Sequence, residues 1–284
     1  MGLPGKGQSW ESMSAADSWF LDDLGIPSLW QQTRGDGIRV AVLDTGVAPI
    51  PDTFKSLTAL APDGSPATPG DTEGHGTACA SLIASINEDA PGIAPDVDLL
   101  AIRVCVANSP IELDVRRAFH TAIDRKCNVI SCSFTLGTPA DTTLNLVRAA
   151  CSMGIVVVAA SGDDPNIASG FPERTPNVLV VGAYDSGKHP IPQRTGPFTD
   201  VFAPGTDLPV LLPDGQVGSF GDTSGAAAVT AGVVALILSA CRAQGTARVG
   251  VALEGLARAT AVLLPTGERL LDPARLLRAA THIP

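Results

Sequence analysis

The chain alternates short, unbroken apolar runs with longer segments whose apolar residues recur at helical spacing. Ile38–Leu43 (IRVAVL) follows a glycine-bearing turn and reads as a strand buried on both faces. Leu99–Val104, Val129–Ser133, Ile155–Ala160 and Val178–Val181 share that character. Between them, His75–Ile86, Leu113–Arg125, Leu144–Met153 and Ser224–Cys241 have the length and patterning of helices. Strands alternating with such helices predict an α/β fold, a mostly parallel sheet covered by helices on both faces. No internal repeat or low-complexity linker interrupts the pattern, so a single domain over 31–284 accounts for it. Residues 1–30 are expected as a surface extension, with Trp30 packing onto the body.

Composition narrows the class. A chain of 284 residues with 45% hydrophobic content can build a large core. Charged residues are 17%, and there are 29 Gly and 23 Pro, which suits a compact enzyme with many ordered loops. The net charge of −10 and the lack of any Lys/Arg cluster argue against nucleic acid and anionic membrane surfaces as partners. The N-terminal stretch has no apolar core of a signal peptide. The apolar run Ala226–Ala240 is too short to span a bilayer and contains Thr230 and Gly232. Cys79, Cys105, Cys127, Cys132, Cys151 and Cys241 form no CxxC or zinc pattern and mostly sit in apolar stretches. They are expected as buried free thiols in a reducing, cytoplasmic setting.

Three segments carry candidate chemistry. Asp44 directly follows the strand IRVAVL, at the strand end where open α/β sheets place their sites. His75 stands between glycines in EGHGTACASLIA, at the head of a helix. Ser224 opens the long helix of DTSGAAAVTAGVV, where free backbone N–H groups favour a developing oxyanion. Singly, these could be a turn residue, a loop histidine and an N-cap. Together they supply a nucleophile, its base and a group that orients the base, which is what acyl transfer requires.

DTGV, GHGTACASLIA and TSGAA resemble the three active-site signatures of the subtilase family. GDGIRVAVLDTGV, GIAPDVDLLAIRV, NVISCSF, GIVVVAASGD and FAPG follow in family order, so the resemblance runs from Trp30 to Leu270. It implies a three-layer subtilisin-like fold. Asp44 would orient the imidazole, His75 would act as general base and then acid, and Ser224 would attack the carbonyl. The segment with Ser131, Cys132, Ser133 and Phe134 would line the primary specificity pocket with Gly162. The loop after Val104, through Asn108–Ile111, would face it across the substrate. Cys79, four residues after His75, would place a thiol beneath the imidazole, open to mercurials.

The resemblance breaks at Asp163, which stands where the family carries an oxyanion-stabilising asparagine. An ionised carboxylate accepts hydrogen bonds and cannot donate. Asp163 would serve the oxyanion only while protonated, with Asp164 and Asp222 as neighbours and Asn166 as a substitute donor. That predicts slow turnover, better at mildly acidic pH. Asp222 replaces the usual glycine two residues before the serine, and Ala228 a usual proline. The segment between His75 and Gly92 lacks the longer loop of the best-known calcium site, so no metal or cofactor is implied. Asp44 comes early for a folding pro-domain of the usual size. A peptide or protein substrate is implied, and a dedicated precursor trimmed of its leader fits a small intracellular subtilase. A degenerate peptide-binding module and a peptide ligase using the same acyl-enzyme are the alternatives.

Overall fold

The computed structural model describes residues 18–164, 166, 170–191, 198–246 and 249–283. In chain order they form α1 (Trp19–Asp23), α2 (Ile26–Trp30), β1 (Arg39–Asp44), β2 (Leu57–Leu60), α3 (His75–Ala84), β3 (Asp98–Arg103), β4 (Cys105–Val106) and β5 (Ser109–Pro110). Then come α4 (Glu112–Asp124), β6 (Val129–Cys132), α5 (Asp141–Ser152), β7 (Val156–Ala160), β8 (Leu179–Tyr184), β9 (Val201–Pro204), β10 (Leu208–Leu211) and β11 (Val217–Phe220). The chain ends with α6 (Asp222–Ala243), α7 (Val249–Thr260), β12 (Val262–Leu263), β13 (Arg269–Leu270) and α8 (Pro273–Ala280).

Nine strands make one sheet in the order β12-β13-β9-β8-β7-β6-β1-β3-β2. All its pairings are parallel except β12 with β13. Side chains alternate strictly between two cores, as the pleat requires. From β1, Val40 and Val42 enter one core while Ala41 and Leu43 enter the other. From β7, Val156 and Val158 join the first and Val157 and Ala159 the second. The first core also holds residues of α3, α6, α7 and α8; the second holds those of α4 and α5. The layers are therefore helix, sheet, helix, and the apolar runs of the sequence are continuous because both faces of each strand are covered.

Helix α6 runs through the middle of the first core with 22 residues, nearly all buried. By length and composition it could cross a membrane, but its apolar stretch is 94% buried inside the protein, as befits a core helix. The N-terminal stretch departs from the expectation. Phe20 and Ile26 are fully buried, and with Leu21, Leu24 and Leu29 they belong to the first core. Residues 18–30 are thus packed structure and not a surface appendage; 1–17 lie outside the described residues. Trp30 does lie on the body, its indole N–H donating to the Ile93 carbonyl at 2.8 Å.

The chain places β3 on one side of β1 and later β6 on the other. At such a reversal the connections leave the strand ends in opposite directions and open a crevice at the carboxyl edge of the sheet. Asp44 ends β1 and Ser133 follows β6, so both stand at that crevice.

Candidate active site

Asp44 is 2% exposed. Its Oδ1 accepts from the Thr45 amide at 2.7 Å and lies 2.8 Å from Nδ1 of His75. A carboxylate only accepts, so Nδ1 carries the shared proton and Nε2 is left with its lone pair toward the crevice. The closeness of the pair has a local cause at Gly76. A Cβ at that position would fall 2.1 Å from the Gly46 carbonyl oxygen and 3.0 Å from Asp44 Cβ. The first turn of α3 can therefore approach the end of β1 only with glycine there.

A buried carboxylate absent from the sequence-based expectations ties these two segments together. Asp71 Oδ1 accepts from Thr45 Oγ1 at 3.0 Å and from the amides of Glu73 and Gly74 at 3.0 and 2.9 Å. Its Oδ2 accepts from the amide and hydroxyl of Thr77 at 2.9 and 2.7 Å. Thr45 Oγ1 in turn takes the Gly76 amide at 2.9 Å. An acidic residue four positions before the histidine, with threonines after Asp44 and His75, was the available signal.

Burial works against a charged His75, but the adjoining Asp44 carboxylate outweighs it and holds the imidazole above its ordinary pKa of 6.5. Cys79 lies beneath the ring, with Sγ 4.0 Å from Nδ1. Burial pushes its thiol up, and the other five buried cysteines shift the same way. From above, the Phe220 ring meets the imidazole edge-on, with centroids 5.3 Å apart.

Phe220 ends the hairpin β10–β11 and leads straight into the turn bearing Ser224. Asp222 adopts φ +62°, a left-handed conformation that aspartate tolerates better than most residues, which explains how it replaces glycine there. Its amide is fixed by the Gly205 carbonyl at 2.7 Å. Ser224 follows in the first turn of α6. The Ser133 hydroxyl donates to its carbonyl at 3.2 Å, so Ser133 ties the end of β6 to the first turn of α6. Among the described residues no hydrogen bond links Ser224 Oγ to His75, and no acceptor takes the Ser224 amide. The amides beside it are occupied, Thr223 by Asp163 at 3.1 Å and Gly225 by the Gly221 carbonyl at 2.9 Å.

The sequence profile of the subtilase family matches residues 35–268. The chain belongs to the subtilase family. Among its relatives, an intracellular serine protease of Paenibacillus polymyxa is 33% identical over 234 residues, 76% of this chain and 71% of that protein. The M-protease of Shouchella clausii, strain KSM-K16, is 31% identical over 231 residues, which span 80% of this chain and 60% of that protein. Subtilisin BL of Lederbergia lenta is 32% identical over 224 residues, covering 77% and 83% of the two chains. The solved structure of the prenylagaramide maturation protease PagA is similar over 90% of this chain and 98% of its own, with 26% identity and a TM-score of 0.78. MycP1 without its N-terminal propeptide shares the fold at a TM-score of 0.76 and 23% identity, over 91% of this chain and 96% of its own.

Within this subtilase several expected residues take other positions. Asp163, expected to donate to the oxyanion, accepts: its Oδ1 takes both the amide and the hydroxyl of Thr223, at 3.1 and 2.7 Å. Neither contact needs a proton on the carboxyl. Asn166, the substitute, is exposed and turns its amide to Asp164 at 2.9 Å. Along the specificity segment the pleat decides. Cys132 and Phe134 point into the second core, at 0% and 8% exposure, while Ser131 and Ser133 face the α6 side. Ser131 is 2% exposed, and Ser133 is the side chain of this run that reaches Ser224. The loop after Val104 is a two-residue hairpin, β4–β5, with Ala107 and Asn108 at φ +49° and +54°. Glu73 clamps it, accepting from the Asn108 amide at 2.5 Å and approaching Arg103 at 3.5 Å.

Proposed function

We propose that this subtilase is a serine endopeptidase working through Asp44, His75 and Ser224. The observation that carries the reading is the 2.8 Å Asp44–His75 pair in the crevice where α6 presents Ser224 on a strained turn. His75 Nε2 removes the Ser224 proton as Oγ attacks the scissile carbonyl, and Asp44 stabilises the imidazolium that forms. The gap between Ser224 and His75 closes when substrate fills the crevice, as is common between free and occupied sites. The oxyanion is met by the unoccupied Ser224 amide at the positive end of α6. Asp163 supports this indirectly, by anchoring Thr223 and so fixing the direction of the neighbouring amide. The main chain of Ser133–Thr135 and the hairpin β4–β5 flank an extended substrate, with Val106 and Ile111 exposed at 49% and 43% on the hairpin side.

The partner is a peptide or protein, and a dedicated precursor in the cytoplasm fits best. What supports this is the likeness to a protein named an intracellular serine protease and to a maturation protease, over most of the chain in both cases. Digestion of a diverse peptide library, read by mass spectrometry, tests the reading against Ser224→Ala. Cuts that vanish in the variant are expected, with a loss of about 10⁴-fold or more. Cuts that persist in Ser224→Ala would refute it.

A further inference from the structure

The mechanism leaves one buried carboxylate without a task. Glu173 is 3% exposed. Its Oε1 accepts a 2.5 Å hydrogen bond from the Thr135 hydroxyl. Its Oε2 is buried and has no hydrogen-bond partner among the described residues. No cation contributes to its surroundings there either: burial pushes the carboxyl up, and only the Thr135 hydroxyl and backbone amides pull against it. A dry, unpaired carboxylate oxygen is strongly unfavourable in a protein interior and asks for a partner.

The position of Glu173 identifies that partner. Thr135 lies two residues beyond Ser133, whose hydroxyl holds the Ser224 carbonyl at 3.2 Å. A Cβ on Gly162 would stand 3.9 Å from Thr135 Oγ1, and Gly162, at φ +89°, adjoins Asp163. Asp163 holds Thr223, next to the nucleophile. Neighbours therefore run without a gap from Ser224 through Thr223, Asp163, Gly162 and Thr135 to Glu173. Gly170 packs on the same segment, where a Cβ would meet the Leu136 carbonyl oxygen at 2.1 Å and Thr135 Cγ2 at 3.0 Å. Glycine stands at 162 and 170, and Thr135 and Glu173 are the polar side chains at the far end of this run.

We infer that Glu173 forms the floor of the primary specificity pocket and selects substrates with Lys or Arg immediately before the scissile bond. The inference rests on the protease reading above. An incoming ammonium or guanidinium supplies the donor that Oε2 lacks while Thr135 keeps Oε1. An apolar side chain of similar length leaves Oε2 unpaired and adds nothing. A site built to hydrogen-bond its ligand rejects one that cannot by at least ~10²-fold.

Peptidyl diphenyl phosphonates, which label an active serine irreversibly, read this without requiring fast turnover. Probes ending in Arg, Lys, Leu, Phe or Gln are compared on wild type, Ser224→Ala and Glu173→Gln, with labelling rates from intact mass. Wild type should react with the Arg and Lys probes at least ~10²-fold faster than with Leu or Phe. In Glu173→Gln, which keeps the shape and the Thr135 contact, that ratio should fall below about tenfold. Labelling of Ser224 in wild type with Leu or Phe preferred, or with no preference, overturns the inference and leaves the protease reading intact. The wild-type order alone decides this if the variant fails to fold. No labelling of Ser224 by any probe, together with no cuts in the peptide library, overturns both.

Discussion

Replacing Asp71 by Asn probes what holds Asp44 and His75 in register. The carboxylate is 7% exposed and accepts five hydrogen bonds, three on Oδ1 and two on Oδ2. An asparagine would aim its oxygen at the three donors Thr45 Oγ1, Glu73 N and Gly74 N. Its NH₂ group would then face the Thr77 amide, donor against donor. The Thr77 hydroxyl can turn and accept, as it already does from the Ala48 amide at 3.0 Å, but the Thr77 N–H cannot. One orphaned buried amide costs about 1–3 kcal/mol. Loss of charge assistance on the surviving contacts adds about 1–2 kcal/mol, since bonds to an ionised acceptor are roughly twice as strong as neutral ones. The expected loss of stability is about 3–4 kcal/mol in a urea melt, with the slope of the transition unchanged. Because Thr45 and Gly76 hang on the same network, kcat/KM should fall by about 10–10²-fold at a temperature where both proteins are folded. A loss under about 1 kcal/mol with full activity would show that the loop bearing His75 is held by other contacts.

Two further outcomes are expected. Because Asp44 holds the His75 imidazole above its ordinary pKa of 6.5, the neutral, proton-accepting form grows with rising pH beyond that value. The profile of kcat/KM measured from about pH 5 to 10 should therefore climb toward the alkaline side, and an optimum at mildly acidic pH would restore the protonated-Asp163 mechanism instead. An organomercurial should inactivate the enzyme slowly. The donor atoms of Asp44, His75 and Cys79 lie within 4.8 Å of one another, which suits a soft metal, but the thiol is fully buried. Cys79→Ala should resist, and full activity in a protein shown by mass spectrometry to carry the mercurial on Cys79 would end the idea.

The amino-acid sequence makes legible what is determined locally. The strands β1, β3, β6, β7 and β8 stand out in it because parallel strands covered on both faces need unbroken apolar runs. The edge pieces do not: β2 (LTAL) is half exposed, and β12 and β13 are two residues each, too short for a period to show. The helices α7 and α8 are missing from the sequence-based expectations as well, although α8 has Asp272 as its N-cap, accepting from the Arg275 amide at 2.9 Å. Asp44, His75 and Ser224 are conspicuous because each lies in a run whose neighbours are themselves required, such as Gly76 against Gly46.

Tertiary structure alone decided the rest, and for one reason: which atom a side chain meets depends on segments far away in sequence. The sequence marks Asp163 as a carboxylate in an asparagine's place, but only the approach of Thr223, 60 residues on, makes it an anchor that accepts two hydrogen bonds. The run Ser131–Phe134 can be placed by resemblance beside the substrate, but the pleat turns Cys132 and Phe134 into the core and leaves Ser133 beside Ser224. Phe20 and Ile26 look like part of an appendage until the first core closes over them. Glu173 gives no signal in sequence at all, because a single acidic residue in a loop is ordinary until folding strips the water from it and leaves Oε2 without a donor among the described residues. Local pattern determined the family, the sheet and the three candidate residues Asp44, His75 and Ser224; burial and long-range hydrogen bonding determined how they are held.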